Sequence, residues 1–248
     1  CKIGGAAAGE RNVISGNNGD GVQIFGISAT GNIVAGNYIG TDVSGNAAIP
    51  NGALSAGVLV SGSAGANVIG GTLPGEGNVI SGNNNGLLLS AAGGNFVQGN
   101  YIGTNADGTA ALGNTYGVKF DSAASGNTIG GASGKNVISG NSLFGVTITG
   151  SSTTNTVSGN IIGLNSTGTA AIANGFAGVN MDTSSSSNII GGTTPNERNI
   201  ISGNLKGITF SGVGTTSNEV KGNYIGLAVD GVAPIGNGEG IMMQTGAG

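Results

Sequence analysis

The chain has 248 residues, of which 54 are glycine, 7% are charged and 4% are aromatic, and it contains neither histidine nor tryptophan. Only 4 prolines and a hydrophobic fraction of 38% exclude collagen and intrinsic disorder, which leaves a chain that turns often and tightly. The net charge of −4, with 7 scattered basic residues and no apolar run of about 18 residues, argues against a nucleic-acid partner and against membrane insertion.

The chain opens with a series of short phrases that later returns. NVISGN stands at 12–17, GVQI at 21–24, NIVAGNYIGT at 32–41, GVLV at 57–60 and NVIGG at 67–71. NVISGN begins again at 78 and 136 and, as NIISGN, at 199, while GNYIG begins at 36, 99 and 222 and stands as GNIIG at 159. Self-similarity at a fixed period marks repeat architectures. The chain therefore comprises four supra-repeats of about 60 residues.

Phrases of the form Asn-x-Ile/Val predict short strands with one buried face. Their third residue is always Ile or Val, whereas the second and fourth residues vary freely, which is period-2 alternation. The predicted core residues are Ile14, Val34, Ile69, Ile80, Val97, Ile129, Ile138, Val157, Ile190, Ile201 and Val220. The GVxI phrases alternate in the same way. Their predicted outward residues are Gln23, Leu59, Leu88, Lys119, Thr147, Asn180, Thr209 and Met242.

Short one-sided strands separated by Gly/Asn turns predict an all-β solenoid, a right-handed parallel β-helix. Helices are disfavoured because the chain is rich in glycine and β-branched residues. Dividing each supra-repeat into three coils gives about twelve coils and, at about 4.8 Å per coil, a rod about 60 Å long. Residues 1–248 form one such domain.

The recurring asparagines are predicted to have a structural role. Asparagine tolerates left-handed backbone at turns, and stacked asparagine side chains form amide ladders. The predicted ladder positions, each following a glycine, are Asn17, Asn37, Asn83, Asn100, Asn141, Asn160, Asn204 and Asn223.

The phrases NVISGN, GNYIGTNADGTAALGN and NTIGG resemble the right-handed parallel β-helix repeats of large secreted bacterial surface and adhesin-like proteins. The resemblance covers essentially the whole chain. It implies an extracellular or cell-surface location and a structural or adhesive role within a longer polypeptide. The same fold also carries pectate lyases, polygalacturonases and alginate epimerases.

Both ends of the sequence fit the repeat. CKIGG at 1–5 stands where NTIGG stands at 127–131, with Cys1 in the place of asparagine, and GIMMQTGAG at 240–248 matches GVKFDSAASG at 117–126. Without capping elements, a solenoid presents unpaired strand edges. We therefore expect a segment of a longer array or a unit that stacks head to tail on copies of itself. Two further interpretations stay open: that capping elements are missing from this sequence, and that Cys1 carries a lipid anchor.

The acidic residues do not predict a catalytic site. Asp121 and Asp182 occupy the same repeat position, which three-coil supra-repeats place about 14 Å apart, too far for a carboxylate pair. Asp107 and Asp230 match in the same way and are assigned the same separation. No histidine can act as a base and the single cysteine has no partner. We therefore expect no enzyme activity.

The neighbours Glu10–Arg11 and Glu197–Arg198 are expected to form surface ion pairs of little energetic value.

Two binding hypotheses are weaker than the structural one. The turns GTDVSGN and GTNADGT offer Asp42, Asn105 and Asp107 as oxygen ligands for Ca²⁺, but the matching turns GLNSTGT and GLAVDGV have too few carboxylates for a dedicated site. Tyr38, Tyr101 and Tyr224 form one row in the repeat. Ile161 takes the fourth place in that row, which favours packing over sugar stacking.

The favoured function is an extracellular structural repeat protein that forms a rigid rod, fibre, sheath or adhesin stalk. Its partners are then copies of itself or neighbouring repeats of the same chain, and no cofactor is expected. The alternative is a β-helix that binds or modifies a polysaccharide. The two differ in one observable property, because an enzyme should have one irregular coil with clustered acids, whereas a structural rod should have uniform coils.

Overall fold

Each coil of the chain makes three short strands, and the same three strands recur in every following coil. The structure, a computed structural model, describes residues 1–244, 246 and 247, so Thr245 and Gly248 of the closing phrase lie outside it. In the described residues the fold is an all-β parallel solenoid with two 3-10 turns, Ala8–Glu10 and Pro195–Glu197, and no α-helix. The predicted fold class is confirmed.

The strands of the first four coils are given in chain order. They are β1 (Lys2–Gly4), β2 (Val13–Ile14), β3 (Val22–Phe25), β4 (Ile33–Ala35), β5 (Tyr38–Ile39), β6 (Ala56–Ser61), β7 (Val68–Gly70), β8 (Val79–Ile80), β9 (Asn85–Ser90), β10 (Phe96–Gln98), β11 (Tyr101–Ile102) and β12 (Tyr116–Asp121).

The second four coils repeat this order. Their strands are β13 (Thr128–Gly130), β14 (Val137–Ile138), β15 (Phe144–Ile148), β16 (Thr156–Ser158), β17 (Ile161–Ile162), β18 (Ala177–Met181), β19 (Ile189–Gly191), β20 (Ile200–Ile201), β21 (Lys206–Phe210), β22 (Glu219–Lys221), β23 (Tyr224–Ile225) and β24 (Glu239–Met243).

Three parallel sheets of eight strands each run along the solenoid. Sheet 1 contains the first strand of every coil, from β1 to β22. Sheet 2 contains the second strand, from β2 to β23, and sheet 3 the third, from β3 to β24. Every strand therefore pairs with its counterpart one coil away, as β10 does with β7 and β13.

The solenoid has eight coils, and the predicted number of twelve is wrong. The prediction treated all Asn-x-Ile/Val phrases as one kind of strand, but the phrase at 67–69 leads into sheet 1 and the phrase at 78–80 into sheet 2 of the same coil. A supra-repeat is therefore two coils of about 30 residues each. At about 4.8 Å per coil, the distance from the first coil to the eighth is about 34 Å.

The core lies inside the three sheets, because each strand turns its β-branched or aliphatic positions inward. Val97, for example, pairs with Ile69 and Ile129, and all three are fully buried. Nine of the predicted core residues have no exposed surface: Val34, Ile69, Ile80, Val97, Ile129, Ile138, Val157, Ile190 and Ile201. Ile14 in the first coil and Val220 in the eighth are partly buried against the same core.

Successive coils differ in where they carry a loop. Odd coils have a corner loop between sheets 1 and 2, as at residues 71–77. Even coils turn that corner directly and instead form a small antiparallel hairpin after sheet 2, as between Thr41 and Ala48. The hairpins touch one another across the intervening coil, where Ala106 N–H donates to the Gly45 carbonyl at 3.0 Å. This alternation makes two coils the repeating unit.

Candidate functional site

Asparagine ladders run along three lines of the solenoid. At Asn100, the backbone N–H and Nδ2 both donate to Oδ1 of Asn136 in the next coil, at 2.9 and 3.0 Å. Nδ2 also donates to the Ile69 carbonyl of the preceding coil at 2.9 Å. One side chain therefore joins three coils, and it does so while 1% exposed. A buried amide is stabilising only when its donors and acceptors are paired, and the ladder pairs them.

The predicted ladder residues divide between two of the three lines. The ladder before sheet 1 contains Asn32, Asn67, Asn95, Asn127, Asn155, Asn188 and Asn218. The ladder between sheets 1 and 2 contains Asn12, Asn37, Asn78, Asn100, Asn136, Asn160, Asn199 and Asn223. The ladder between sheets 2 and 3 contains Asn17, Asn51, Asn83, Asn114, Asn141, Asn174, Asn204 and Asn237.

The asparagine ladders are confirmed, but sequence reasoning missed most of their members. The asparagine that opens each Asn-x-Ile/Val phrase was recognised only as a strand signal, although it recurs as regularly as the asparagine after glycine. The asparagines that end the turn-rich stretches, such as Asn51 and Asn114, also recur at one position. Cys1 takes the ladder position before sheet 1 in the first coil, and its backbone nitrogen donates to Asn32 Oδ1 at 3.0 Å.

The outer face of sheet 3 carries a row of aromatic side chains that the sequence analysis did not single out. The rings of Tyr116 and Phe144 stack with centroids 6.0 Å apart, and Phe144 meets Phe176 edge to face at 5.5 Å. Lys119 and Lys206 extend over this row, with Nζ 5.5 Å from the Tyr116 ring and 5.7 Å from the Phe176 ring. The available signal was an aromatic residue one or two positions before three consecutive GVxI phrases: Tyr116, Phe144 and Phe176.

Beside the aromatic row lies a row of polar side chains that are buried, although the sequence places them outward. Thr147, Asn180 and Thr209 are 2 to 4% exposed. Asn180 Nδ2 donates to Thr147 Oγ1 at 3.1 Å, and Thr209 Oγ1 donates to Asn180 Oδ1 at 2.7 Å. These short side chains lie between longer neighbours and hydrogen-bond to one another, which explains their low exposure.

The carboxylates of this face are engaged by neighbouring groups. Asp121 forms an ion pair with Lys119 at 3.2 Å, and Asp182 accepts from Asn180 Nδ2 at 2.9 Å. Asp121 ends β12 and Asp182 directly follows β18, and these two strands are two coils apart. Their backbone separation is therefore about 10 Å, and the predicted three coils are wrong.

The hairpin acids stabilise their own turns. Asp42 accepts hydrogen bonds from the Ser44 hydroxyl and from the N–H groups of Ala47 and Asn46, which lower the pKa of its carboxyl. Asn105 holds the second hairpin in the same way. These oxygens are therefore occupied by donors of the turn.

Asp107 and Asp230 differ in their hydrogen bonds, and they lie farther apart than expected. Asp230 accepts from the N–H groups of Val232 and Ala233, which lower the pKa of its carboxyl. Asp107 has no such role among the described residues. Their hairpins belong to the fourth and eighth coils, so the expected three-coil separation is wrong and the backbone distance is about 19 Å.

The described residues contain neither a cluster of metal-ligating side chains nor a membrane-spanning helix. In the described ranges, no three His, Cys, Asp or Glu side chains come together as a group that could hold a metal ion. Within the same residues, no helix has the length and apolar character needed to cross a membrane.

The tyrosine row lies on the outer face of sheet 2, half-buried under the hairpins. Arg11 stacks on Tyr38 with its guanidinium carbon 4.1 Å from the ring centroid, and Arg198 stacks on Tyr224 at 4.0 Å. Ile161 is buried in the same row and packs with Leu164.

Among the described residues, the expected Glu10–Arg11 and Glu197–Arg198 ion pairs do not form. Glu10 accepts from the Ala7 N–H and lies 3.5 Å from Lys2 Nζ, and Glu197 accepts from the N–H groups of Thr193 and Thr194. Each glutamate accepts hydrogen bonds from backbone N–H groups of its own corner loop. The arginine that follows it extends over a tyrosine ring in the next coil.

The fold and these faces define the chain as a parallel β-solenoid stabilised by asparagine ladders. No family model matches the chain, no curated protein matches it, and no solved structure matches it.

Proposed function

We propose that the chain is a rigid structural segment of an extracellular fibre, sheath or adhesin stalk. The observation that carries this proposal is the continuity of the three asparagine ladders and of the apolar core through the described coils. Each of the six inner coils forms parallel ladders with both neighbours. Bending the rod would therefore break hydrogen bonds on one side of the axis. The repeat phrases that resemble those of secreted bacterial surface proteins support the extracellular location.

The ladders also support the proposed partners. Asn78, Asn100 and Asn136 make the same hydrogen bonds although they belong to different coils. A ladder with this translational symmetry can continue into any coil with the same phrase, whether in neighbouring repeats of the same polypeptide or in a second copy stacked head to tail.

The proposed role is non-catalytic. The carboxylates on the outer face of sheet 3 are paired with Lys119 or hydrogen-bonded to Asn180, and those of the hairpins accept from backbone N–H groups. All three sheets keep their parallel register through this region. A parallel register that continues through alternating coils, without one irregular coil, is what the structural role requires.

Immunogold electron microscopy of the producing cells, with antibodies raised against this chain, tests the proposal. We expect label on the cell surface of unpermeabilised cells and along straight fibres, with an axial repeat of about 4.8 Å by diffraction. Label that appears only after permeabilisation would contradict the extracellular role. Label on flexible or globular material would contradict the rod.

A second candidate, binding of a polysaccharide to the outer face of sheet 3, is favoured by the aromatic row. Tyr116, Phe144 and Phe176 present rings along the rod axis beside a row of hydroxyl and amide groups. Apolar ring faces with a few polar groups at fixed positions are typical of ligand surfaces. Isothermal titration with a neutral chito-oligosaccharide hexamer tests it.

The titration compares Phe176→Ala with Phe96→Ala, which removes an exposed ring from the outer face of sheet 1. Phe96 is 43% exposed, so its loss leaves the fold intact and serves as the matched control. We expect weaker binding only in Phe176→Ala. Equal binding by both variants and the unmodified chain would exclude the aromatic row as the site.

A further inference from the structure

Three basic residues have no ion-pair partner in the described part of the chain, and they occupy one repeated position. Lys2, Lys119, Lys206 and Lys221 each pair with a carboxylate. The other three, Arg11, Lys135 and Arg198, each precede the asparagine that an odd coil contributes to the ladder between sheets 1 and 2, and Gly77 takes the fourth such place. Cations that looked scattered in the sequence therefore form a row along the corner between sheets 1 and 2.

Two of these cations share a cavity of about 360 Å³ between the corner loops of the fifth and seventh coils. The sixth coil has no corner loop, and Gly159 forms the floor of the gap between the two loops. A Cβ at Gly159 would approach the Asn196 carbonyl to 2.8 Å, so the narrow floor requires glycine. The wall residues that matter here are Ser133, Lys135, Asn196, Arg198 and Tyr224.

The arginine of this cavity is held in place while its terminal nitrogens stay free. Its guanidinium group stacks on Tyr224, and Nε of Arg198 donates to the Gly222 carbonyl at 2.9 Å. The described residues provide no hydrogen-bond partner for its two terminal NH₂ groups or for Lys135 Nζ. Pre-orientation by a ring and a carbonyl reduces the entropy lost when a ligand binds the guanidinium group.

Among the described residues, neither nearby acid forms an ion pair with Lys135 or Arg198. Glu197 points back into its own loop, where its Oε2 accepts from Thr193, from Thr194 and from the Thr194 hydroxyl. The Asp230 carboxyl accepts hydrogen bonds from the N–H groups of Val232 and Ala233 in its own hairpin. Neither Glu197 nor Asp230 lines the cavity, whose charged lining residues are Lys135 and Arg198.

We propose that the cavity lined by Lys135 and Arg198 binds an acidic polysaccharide that runs along the rod axis. The two cations come from coils two apart, so their backbones are about 10 Å apart. An extended glycan with one carboxylate on every second sugar presents its charges at a similar interval. Nucleic acid fits less well, because one strand carries a phosphate about every 3.4 Å and needs a denser basic stripe.

The chain contains a matched cavity with one cation. Between the corner loops of the first and third coils, Arg11, Tyr38 and Tyr101 line a cavity of about 300 Å³. Gly77 stands there at the position that Arg198 occupies in the other cavity. Arg11 makes the same stacking and carbonyl contacts as Arg198, so it provides a control of equal charge and similar packing.

The experiment is isothermal titration of the full chain with a hyaluronan decasaccharide, which carries a carboxylate on alternate sugars. Three variants, Lys135→Gln, Arg198→Gln and Arg11→Gln, each remove one positive charge and keep a polar stem. We expect Lys135→Gln and Arg198→Gln to weaken binding about tenfold each, with a loss that shrinks as salt rises. Arg11→Gln should change binding by less than about twofold.

Each alternative result overturns the proposal. Absence of binding by the unmodified chain excludes the ligand class, and equal losses in all three variants indicate attraction by net charge alone. Displacement by an equivalent concentration of inorganic sulfate would indicate a small-anion site. Binding that both charge variants retain and Phe176→Ala loses would place the glycan on sheet 3. Circular dichroism and thermal melting of each variant establish that the fold is intact.

Discussion

Oδ1 of Asn136 accepts two hydrogen bonds from Asn100, one from the backbone N–H at 2.9 Å and one from Nδ2 at 3.0 Å. Because the same Nδ2 also donates to the Ile69 carbonyl, a change at Asn100 affects three consecutive coils. The ladders therefore connect local sequence to the stability of the whole rod.

Replacing Asn100 by aspartate should be strongly destabilising. The change keeps the shape but converts a buried donor into an acceptor that faces the oxygens of Ile69 and Asn136. We expect Asn100→Asp to lower the free energy of unfolding by about 3–5 kcal/mol at neutral pH. Urea denaturation followed by circular dichroism measures it. Asn18→Asp is the control, since Asn18 is exposed and has no side-chain hydrogen bond in the described residues; an equal effect there would refute the ladder argument.

The glycine of each GVxI phrase should not tolerate a side chain. A Cβ at Gly117 would lie 2.8 Å from the ladder amide Nδ2 of Asn141 and 3.0 Å from Cγ2 of Ile138 in sheet 2. We expect Gly117→Ala to cost about 1–3 kcal/mol through overpacking. At Gly19 a Cβ would meet nothing within 4 Å, so Gly19→Ala should leave the urea midpoint unchanged. Similar urea midpoints for Gly117→Ala and Gly19→Ala would show that sheet 3 can move away from Asn141 and Ile138 to make room for the added methyl group.

The first hairpin should weaken in acid, unlike the second. The Ser44 hydroxyl, followed by the N–H groups of Ala47 and Asn46, lowers the pKa of the Asp42 carboxyl below its ordinary value of 3.8. Because the pKa of Asp42 is lower in the folded state than in the unfolded state, the ionised carboxyl stabilises the hairpin when the pH is above the unfolded-state pKa. This stabilisation is lost as the pH falls through the folded-state pKa. NMR titration should give midpoints below 3.8 for the amides of Asn46 and Ala47.

The second hairpin provides the control for that titration. Asn105 replaces Asp42 there, so the amides of Thr109 and Ala110, which donate to Asn105 Oδ1, should not titrate in this range. Asp42→Asn should likewise keep the first hairpin intact at low pH. A midpoint at or above 3.8 for Asn46 would mean that the turn does not stabilise the ionised carboxyl.

Deleting whole coils should succeed in pairs and fail singly. Removing residues 100–159 joins Gly99 to Asn160, deletes two coils and keeps the alternation of corner loops and hairpins. We expect this variant to fold into a rod about 10 Å shorter by small-angle X-ray scattering. Removing residues 78–99 deletes one coil and brings the hairpins of the second and fourth coils into adjacent coils, where they collide. Equal stability of the two deletions would show that hairpin stacking does not set the repeat.

The sequence determined the fold class and the inward residues because both depend on local patterns. Period-2 alternation in Asn-x-Ile/Val and GVxI is a property of three or four consecutive residues, and Gly/Asn turns specify frequent reversals. Val97 could therefore be assigned to the core from its own phrase. The asparagine ladders followed from the same regularity, although only the asparagines that follow a glycine were predicted as ladder positions.

Only the tertiary structure decided which phrases share a coil and which side chains meet. Asn78 bonds to Asn100, 22 residues away, whereas Asn37 bonds to Asn78, 41 residues away, and loops of unequal length hide this common register in the sequence. The number of coils depends on which asparagines pair between coils, so the count predicted from the sequence was wrong. The cavity between Lys135 and Arg198 has the same origin, because it exists only where an even coil without a corner loop separates two odd coils. Local patterns fix what each strand buries, and long-range stacking fixes what the outer surface presents.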